Sequence, residues 1–219
     1  MQVLLTGKQR LPGFQGEWRV GRLKDAAEIA TGINKPLGFM GRGVLYVTVQ
    51  DLYHGNSIPQ DVLGRIELSP AEIQENALKV GDIVFGKSSV KREGIGYPSL
   101  FLGCAEPVTF SGFTYRARAR IGVADARFLF YWLRSAGTRQ WLIDNSQSSA
   151  LTNINKSISD SIPTKLPLLE EQVAIGKVLS DMDAEIAALE SRLTKARALK
   201  QAMAQALLTG RIRLVEPTA

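Results

Sequence analysis

The sequence predicts an α+β protein, in which a mixed, mostly β globular domain is followed by one long coiled-coil-forming α-helix. Residues 1–165 are rich in glycine, proline, aromatic and β-branched residues, which favour turns and strands. Residues 168–208 hold a single glycine and no proline, and consist largely of the good helix formers Ala, Leu, Glu, Lys and Arg. Pro163 and Pro167 cannot both lie inside one helix, so they mark the junction. We therefore predict two domains, residues 1–165 and residues 166–219.

Four segments of the first domain have the composition of β-strands and are bordered by turn residues. They are residues 43–49, 81–86, 107–110 and 113–120. From residue 116 to the end of the last segment every second residue is an arginine, namely Arg116, Arg118 and Arg120. Side chains of a strand alternate between its two faces, so we expect these three arginines on one face of a sheet.

Two short helices are predicted in the same domain. Residues 69–76 begin with Ser69 and Pro70, and Glu72 lies at the spacing of a capping box, which is typical of a helix start. Residues 125–140 have the composition of a second short helix.

The second domain has the apolar spacing of a coiled-coil helix. Its apolar residues follow alternating steps of four and three, a period of about 3.5 residues, and then continue after a slip in register. They are Ile175, Leu179, Met182, Ile186, Leu189, Leu193 and Ala196, then Leu199, Met203 and Leu207. Gly210 is the predicted C-terminal cap, and Arg211 and Arg213 suit a helix C-terminus.

A helix of this length requires a partner for its apolar stripe. About 40 residues at ~1.5 Å each give a rod of roughly 60 Å, which is longer than a domain of this size can cover. We expect a second helix of similar length, from this chain or from another, to pack against it. The alternative is an amphipathic helix that lies on its own globular domain.

The net charge of +6 comes entirely from the first domain. Residues 1–165 hold 20 Lys and Arg against 14 Asp and Glu, a surplus of 6, whereas residues 166–219 hold 7 of each. Such a surplus favours a polyanionic partner, nucleic acid before membrane. The alternative is a basic surface that binds nothing.

The remaining composition favours a cytoplasmic protein without membrane contact. No apolar run approaches the ~18 to 20 residues that cross a bilayer, and residues 1–10 lack the apolar stretch of a secretory signal. The single cysteine, Cys104, excludes an internal disulfide and fits a reducing compartment.

Residues for catalysis or metal binding are missing from the sequence, so we predict no catalytic residue, no cofactor and no metal site. His54 is the sole histidine, and together with Cys104 it cannot form a zinc site of His and Cys ligands. The glycines of residues 38–43 are not in dinucleotide-binding order. Glu170 and Glu171 lie at the start of the long helix, where acidic residues favour the helix dipole.

Three polar, basic stretches are the candidate DNA-binding residues. Residues 86–97 follow a predicted strand and combine cations and hydroxyls with glycines, which allow close approach of a backbone; Lys and Arg neutralise phosphates, and Asn and Gln can pair with adenine. The candidates are Lys87, Ser88, Lys91, Arg92 and Tyr97 in this stretch, Asn145, Gln147 and Asn153 in a second stretch formed by residues 144–149 and 153–156, and Lys35 and Arg42 in residues 31–42. The alternative is that these are ordinary solvated loops.

The two ends of the chain repeat one motif. Residues 4–11 read Leu-Leu-Thr-Gly-Lys-Gln-Arg-Leu and residues 207–214 read Leu-Leu-Thr-Gly-Arg-Ile-Arg-Leu, with six of eight positions identical. The simplest account is a repeating unit whose boundary falls inside this motif, so that one unit runs from the tail of a preceding helix to the tail of its own.

The junction and the two ends resemble the DNA specificity subunit of Type I restriction-modification systems. The resemblance rests on Leu-Pro-Leu-Leu-Glu-Glu-Gln at residues 166–172, the heptad helix that follows, the Leu-Leu-Thr-Gly ending at residues 207–210 and the opening at residues 4–14. It extends over the whole chain, although within residues 18–149 it is carried by pattern more than by motif.

The resemblance implies two recognition domains and two long antiparallel helices in a full-length member. Each domain reads one half of a split DNA site, and the helices fix the spacing. Modification subunits, which bind S-adenosylmethionine and methylate adenine, dock on this subunit, and restriction subunits join further out. With one domain and one helix, this chain corresponds to a half-sized form that is expected to form a homodimer through the helix.

We therefore expect a non-catalytic specificity subunit that reads one half of a bipartite site in double-stranded DNA. The expected dimer and partner helix face comprises Ile175, Leu179, Met182, Ile186, Leu189, Leu193, Leu199, Met203 and Leu207. The alternative is a coiled-coil adaptor whose globular domain binds protein or glycan.

Overall fold

A four-stranded antiparallel sheet lies at the centre of the computed structural model, which describes residues 2–148 and 151–212. Its strands are β2 (Ala27–Thr31), β5 (Ile83–Gly86), β7 (Pro98–Leu100) and β9 (Thr114–Ala119), in the order β2-β9-β5-β7. Ile29, Ala117, Ile83 and Leu100 are paired in one row across it, and all four are buried. These apolar side chains, spaced one per strand, form one part of the core.

A three-stranded mixed sheet forms the other part of this framework. It contains β3 (Met40–Val47), β4 (Gly64–Ile66) and β8 (Val108–Phe110), with β3 antiparallel to β4 and parallel to β8. The buried residues Leu45, Val47, Val84, Val108 and Phe110 belong to one apolar cluster that joins the two sheets. The mixed, mostly β domain that the sequence predicts is confirmed.

Two smaller sheets and several helices complete the described part of the chain. β1 (Arg19–Arg22) pairs with β12 (Pro163–Leu166), and β6 (Ser88–Ser89), β10 (Gln147–Ser148) and β11 (Thr152–Asn153) form a short three-stranded sheet. The helices are α1 (Gln2–Leu5), α2 (Leu23–Ala26), α3 (Pro70–Asn76), α4 (Ala126–Arg134), α5 (Ala136–Asn145), α6 (Lys156–Ser161) and α7 (Leu169–Leu208), and 3-10 turns cover Leu37–Phe39, Gln50–Tyr53 and Arg92–Gly94.

The start of α3 confirms the predicted capping box. The Ser69 side chain accepts a hydrogen bond from the Glu72 amide, and the Glu72 carboxylate accepts one from the Ser69 amide. Each partner satisfies a backbone donor that the first turn leaves free.

The prediction of one helix over residues 125–140 is wrong, because the chain breaks at Ser135. Ser135 has extended backbone angles, and its hydroxyl accepts a hydrogen bond from the Thr138 amide, so it ends α4 and caps α5. A serine cap satisfies the new helix start locally, which lets the chain turn there. The two predicted strands around Ser111 and Gly112 also separate, because β8 joins the three-stranded sheet and β9 joins the four-stranded one.

The long helix α7 runs unbroken over 40 residues, as the sequence predicts. The described chain divides into two compact units after Lys177, so the first turns of α7 belong to the globular unit, which extends past residue 165. Gly176 lies in these turns. A Cβ there would meet the Asp125 carboxylate at 2.8 Å and the Phe128 amide nitrogen at 3.1 Å, so this helical glycine permits close packing of α7 on α4.

Candidate nucleic-acid interface

The short sheet of β6, β10 and β11, which we call the junction sheet, brings together candidate residues from two distant stretches. Gln147 pairs with Asn153, and Asn153 pairs with Ser88. The Ser88 hydroxyl also donates a hydrogen bond of 2.6 Å to the Asn153 Oδ1, 65 residues away. Three of the predicted site residues therefore lie side by side on one small surface.

The loop of residues 86–97 is attached to the domain by backbone and side-chain bonds. The Ile154 amide donates to the Lys87 carbonyl at 2.9 Å, and Ile95, a residue of the loop itself, is fully buried. The Arg139 guanidinium donates to the Glu93 carbonyl at 2.7 Å. A loop fixed at these points presents its exposed side chains in a defined arrangement.

Lys87 is held inside this arrangement. Its ammonium donates to the Gly112 carbonyl at 2.7 Å and lies 4.5 Å from the centre of the Tyr115 ring. Burial lowers the pKa of Lys87, because removal from water disfavours the charged form. These contacts make Lys87 an anchor of the loop and leave its charge less available to a phosphate.

Lys91 and Arg92 point their charge into solvent. Both are exposed, and within the described part of the chain the Lys91 ammonium forms no ion pair or hydrogen bond. Arg92 makes one side-chain bond of 3.3 Å, to the Ile143 carbonyl. Most of its guanidinium donors stay free for an external acceptor.

Asn145 and Gln147 are exposed at the C-terminal end of α5 and in the strand that follows it. The Asn145 amide donates to the Trp141 carbonyl at 2.8 Å, which leaves its carbonyl oxygen as an acceptor. The neighbouring Ser149, which belongs to the same predicted polar stretch, lies outside the described residues.

An arginine and tyrosine cluster beside the loop was missed by the sequence reasoning. The Tyr97 hydroxyl accepts a hydrogen bond of 2.5 Å from Arg134, whose guanidinium lies 4.8 Å from the Tyr97 ring, while Arg139 lies 5.7 Å from it and the Tyr53 ring 5.6 Å from it. Burial lowers the pKa of Arg139. The two arginines lie on α4 and α5, so a prediction of one continuous helix gave no signal that both converge on Tyr97.

Lys35 and Arg42 each form an ion pair elsewhere in the domain. Among the described residues, no hydrogen bond or ion pair joins either of them to the junction sheet. The Lys35 ammonium is 2.5 Å from a Glu72 oxygen, and Arg42 is 2.5 Å from Glu67. The Lys35 hydrogen bond, with those from Ser69, holds the pKa of Glu72 at about 2. Carboxylates of the same chain thus already neutralise both cations.

The alternating arginines of β9 are also paired within the domain. Arg118 makes two bonds of 2.7 Å to the Asp82 carboxylate, and Arg116 makes one of 3.0 Å to Glu28. Burial lowers the pKa of Arg116, and the Asp82 hydrogen bond raises that of Arg118. Both cations are therefore engaged by carboxylates of the domain itself.

The predicted helix face divides into a buried start and an exposed remainder. Ile175 and Leu179 are buried. The other seven are 40–62% exposed, an unusual state for large apolar side chains: Met182, Ile186, Leu189, Leu193, Leu199, Met203 and Leu207. Such a continuous apolar stripe is typical of a helix that packs against a partner.

Residues 2–148 and 151–212 contain no cluster of three His, Cys, Asp or Glu side chains that could hold a metal ion. Among the same residues, no helix is both long and apolar enough to span a membrane.

The chain thus combines an α+β domain, whose loops hold exposed cations and amides in fixed positions, with a long helix that carries an exposed apolar stripe. The chain belongs to the family of the Type I restriction modification DNA specificity domain, whose family model matches residues 15–196.

Solved structures of Type I systems share this fold. A chain from work on complex assembly and conformational transition of the type I R-M system matches with a TM-score of 0.66 and 19% identity, over 94% of this chain and 48% of that chain. The HsdS subunit from Thermoanaerobacter tengcongensis matches with a TM-score of 0.61 and 19% identity, again over 94% of this chain and 48% of that chain. The S subunit of a Type-I restriction-modification system from M. genitalium matches with a TM-score of 0.58 and 15% identity, over 90% of this chain and 47% of that chain. This chain therefore spans about half the length of the chains it matches.

Proposed function

We propose that the chain reads one half of a bipartite site in double-stranded DNA as the specificity subunit of a Type I restriction-modification complex. It supplies recognition and assembly and catalyses no step itself. It acts in the cytoplasm, with the DNA, and takes no membrane partner.

The main support for this proposal is the presence of the junction sheet, with its polar and basic side chains, in a chain of this family. The sheet and its adjoining loop present two exposed cations, Lys91 and Arg92, and the exposed amide of Gln147. Cations on this surface would contact phosphates and set the position of the duplex, while amide and hydroxyl groups would read base edges. Lys87 and Tyr97 would hold the loop in place, and Ser88 would orient Asn153.

The exposed stripe of α7 supports pairing with a second copy. In an antiparallel pair of helices, each apolar side chain fits between residues of the facing helix, and water leaves both stripes. Two identical units related by a twofold axis would read an interrupted palindrome, because symmetry repeats the half-site in the opposite strand.

The partners of the assembled protein follow from the same proposal. The modification subunits, which carry the methyltransferase chemistry, would dock on the specificity subunit, and the restriction subunits would join the larger complex. Light scattering on the chain mixed with the modification subunit tests this step: a dimer of the chain should capture two modification subunits.

Salt dependence of duplex binding tests the central claim. Phosphate neutralisation releases counterions, so the logarithm of the binding constant should fall linearly with the logarithm of salt concentration, with a slope of about −0.9 per phosphate contact. Fluorescence anisotropy with a labelled duplex library, run with and without the modification subunit, measures this slope. Absence of a salt-dependent duplex complex under both conditions would favour the coiled-coil adaptor instead.

A further inference from the structure

The repeated motif at the two ends of the chain forms the same helix cap twice. In the first cap, the Thr6 amide donates to the Gln2 carbonyl at 3.0 Å, and the Gln9 amide donates to the Val3 carbonyl at 3.1 Å. The Thr6 hydroxyl also donates to the Gln2 carbonyl, at 2.8 Å. Gly7 supplies the positive φ of +70° that turns the chain out of the helix.

The second cap repeats each of these bonds at the end of α7. The Thr209 amide donates to the Gln205 carbonyl at 3.0 Å, and the Ile212 amide donates to the Ala206 carbonyl at 3.2 Å. The Thr209 hydroxyl donates to the Gln205 carbonyl at 2.7 Å, and Gly210 has a φ of +69°. Every member lies 203 residues after its counterpart, so the sequence repeat is also a structural repeat.

The first cap is seated on the globular unit. Leu5 is fully buried, and a Cβ on Gly7 would lie 3.3 Å from Cε2 of Trp18. Arg10 donates two hydrogen bonds, of 2.5 and 2.6 Å, to the buried carboxylate of Glu171 in the first turn of α7. We call Trp18 and Glu171 the cap seat.

The second cap has the same sequence features without the burial. Leu208, the counterpart of Leu5, is 89% exposed, and Thr209 and Gly210 are exposed too. Arg213, the sequence counterpart of Arg10, lies outside the described residues. The first copy of the motif buries its leucine, whereas the second copy leaves its leucine exposed. This difference indicates that the second copy has an apolar side chain that another surface can cover.

We propose that the cap seat is a binding site for the cap motif, and that in a pair of chains it takes the second cap of the partner copy in place of its own first cap. This inference rests on the proposed pairing of two copies. In a repeating unit, the end of one helix and the entry to the next domain are the same residues. The seat is therefore built to hold the end of another unit's helix.

Two features favour the exchange. The first cap must order α1, an isolated helix of four residues, whereas the second cap extends a helix that is already formed, so its ordering costs less. The buried indole N–H of Trp18 also has no hydrogen-bond partner among the described residues. The present occupant thus leaves one donor of the seat unused.

Peptide binding to the full chain tests the exchange. The probe is a fluorescent peptide of residues 203–214, and anisotropy measures its affinity. Leu5→Ala weakens the first cap without altering the seat, so it should tighten peptide binding by about tenfold or more, because less of the seat is occupied by the competitor. Glu171→Gln in the Leu5→Ala background should weaken binding by about tenfold, since it removes the carboxylate that an arginine pairs with.

Matched controls separate seating from nonspecific adhesion. A peptide with Gly210→Val cannot adopt the positive φ at low cost and should not bind. Gly7→Ala replaces Leu5→Ala if circular dichroism shows that the latter chain unfolds. Failure of the peptide to bind a folded Leu5→Ala or Gly7→Ala chain, or binding that ignores Glu171→Gln and Gly210→Val, would overturn the exchange. Light scattering of the same chains reports pairing separately, so loss of pairing and loss of cap binding are distinguishable.

Discussion

Arg118 and Asp82 form a two-point ion pair where the two inner strands of the central sheet meet the preceding turn, and Nε and Nη2 of the arginine each lie 2.7 Å from one oxygen of the carboxylate. The Asp82 side chain is 1% exposed, and its Oδ2 also accepts the Lys79 amide at 2.7 Å. The pair joins β9 to the turn that precedes β5.

Arg118→Met should destabilise the fold by about 2–3 kcal/mol, because it leaves a buried carboxylate without its cation. This cost lies at or below the ~3–5 kcal/mol for breaking a fully buried ion pair, because the Arg118 side chain is partly exposed to water. Urea denaturation measures it. Arg120→Met is the control: Arg120 is exposed and bonds one backbone carbonyl, so its loss should cost less than about 1 kcal/mol. Equal losses in the two variants would contradict a special role for the Asp82 pair.

Lys35→Met should raise the pKa of Glu72 above its native value of about 2, because the Lys35 hydrogen bond is the largest cause of the lowering. A carboxyl group with a lowered pKa contributes fully to stability when the pH is above its ordinary pKa of 4.5. This contribution is lost as the pH falls through its folded-state pKa of about 2. The stability deficit of Lys35→Met should therefore be complete at neutral pH and vanish near pH 2. Carbon-13 carboxyl titration and thermal melts over this range measure both effects.

The same variant tests the role of Lys35 in DNA binding. Because Glu72 already neutralises this cation, Lys35→Met should leave duplex affinity nearly unchanged. A large loss of affinity would instead make Lys35 a phosphate contact.

Lys91→Gln and Arg92→Gln should each weaken duplex binding and reduce the salt slope by about one, if each cation neutralises one phosphate. The loss should be similar for all DNA sequences, because phosphate contacts carry no sequence information. Lys195→Gln on α7 removes the same charge far along the chain and is the matched control. An unchanged slope in both loop variants would exclude these residues from the interface.

Ile186→Asp together with Leu193→Asp should convert a dimer into monomers, because two charges would be buried in the apolar stripe of the helix pair. Ala187→Asp with Thr194→Asp adds the same charges one residue along, on a face that the pattern does not place in the stripe. Light scattering gives the molar mass of each. A double variant in the stripe that stays dimeric would show that α7 is not the interface.

Gly176→Ala should destabilise the fold although alanine favours helices, since its Cβ would lie 2.8 Å from the Asp125 carboxylate and 3.1 Å from a backbone nitrogen. Gly137 in α5 is the matched control, because nothing lies within 4 Å of a Cβ there. Gly137→Ala should stabilise by roughly 0.5–1 kcal/mol through helix propensity. Thermal melts that shift in the same direction for both would rule out close packing as the reason for Gly176.

Features that depend on close neighbours along the chain can be predicted from the residues alone. The 3.5-residue spacing predicts α7, the Ser69 and Glu72 spacing predicts the capping box, and Gly210 predicts the helix end, because each depends on hydrogen bonds or faces within one or two turns. The same local logic places Arg116 and Arg118 on one face of β9.

Which of these residues come into contact depends on how distant segments of the chain pack together. Ser88 and Asn153 are 65 residues apart, and their contact depends on strand pairing that periodicity does not specify. Lys35 and Arg42 read as free cations until the fold brings Glu72 and Glu67 to them. Likewise, nothing local distinguishes Leu5 from Leu208, since the two caps are alike in sequence. Burial of one and exposure of the other follow from which surface of the folded chain lies beside each, and that is a property of long-range packing.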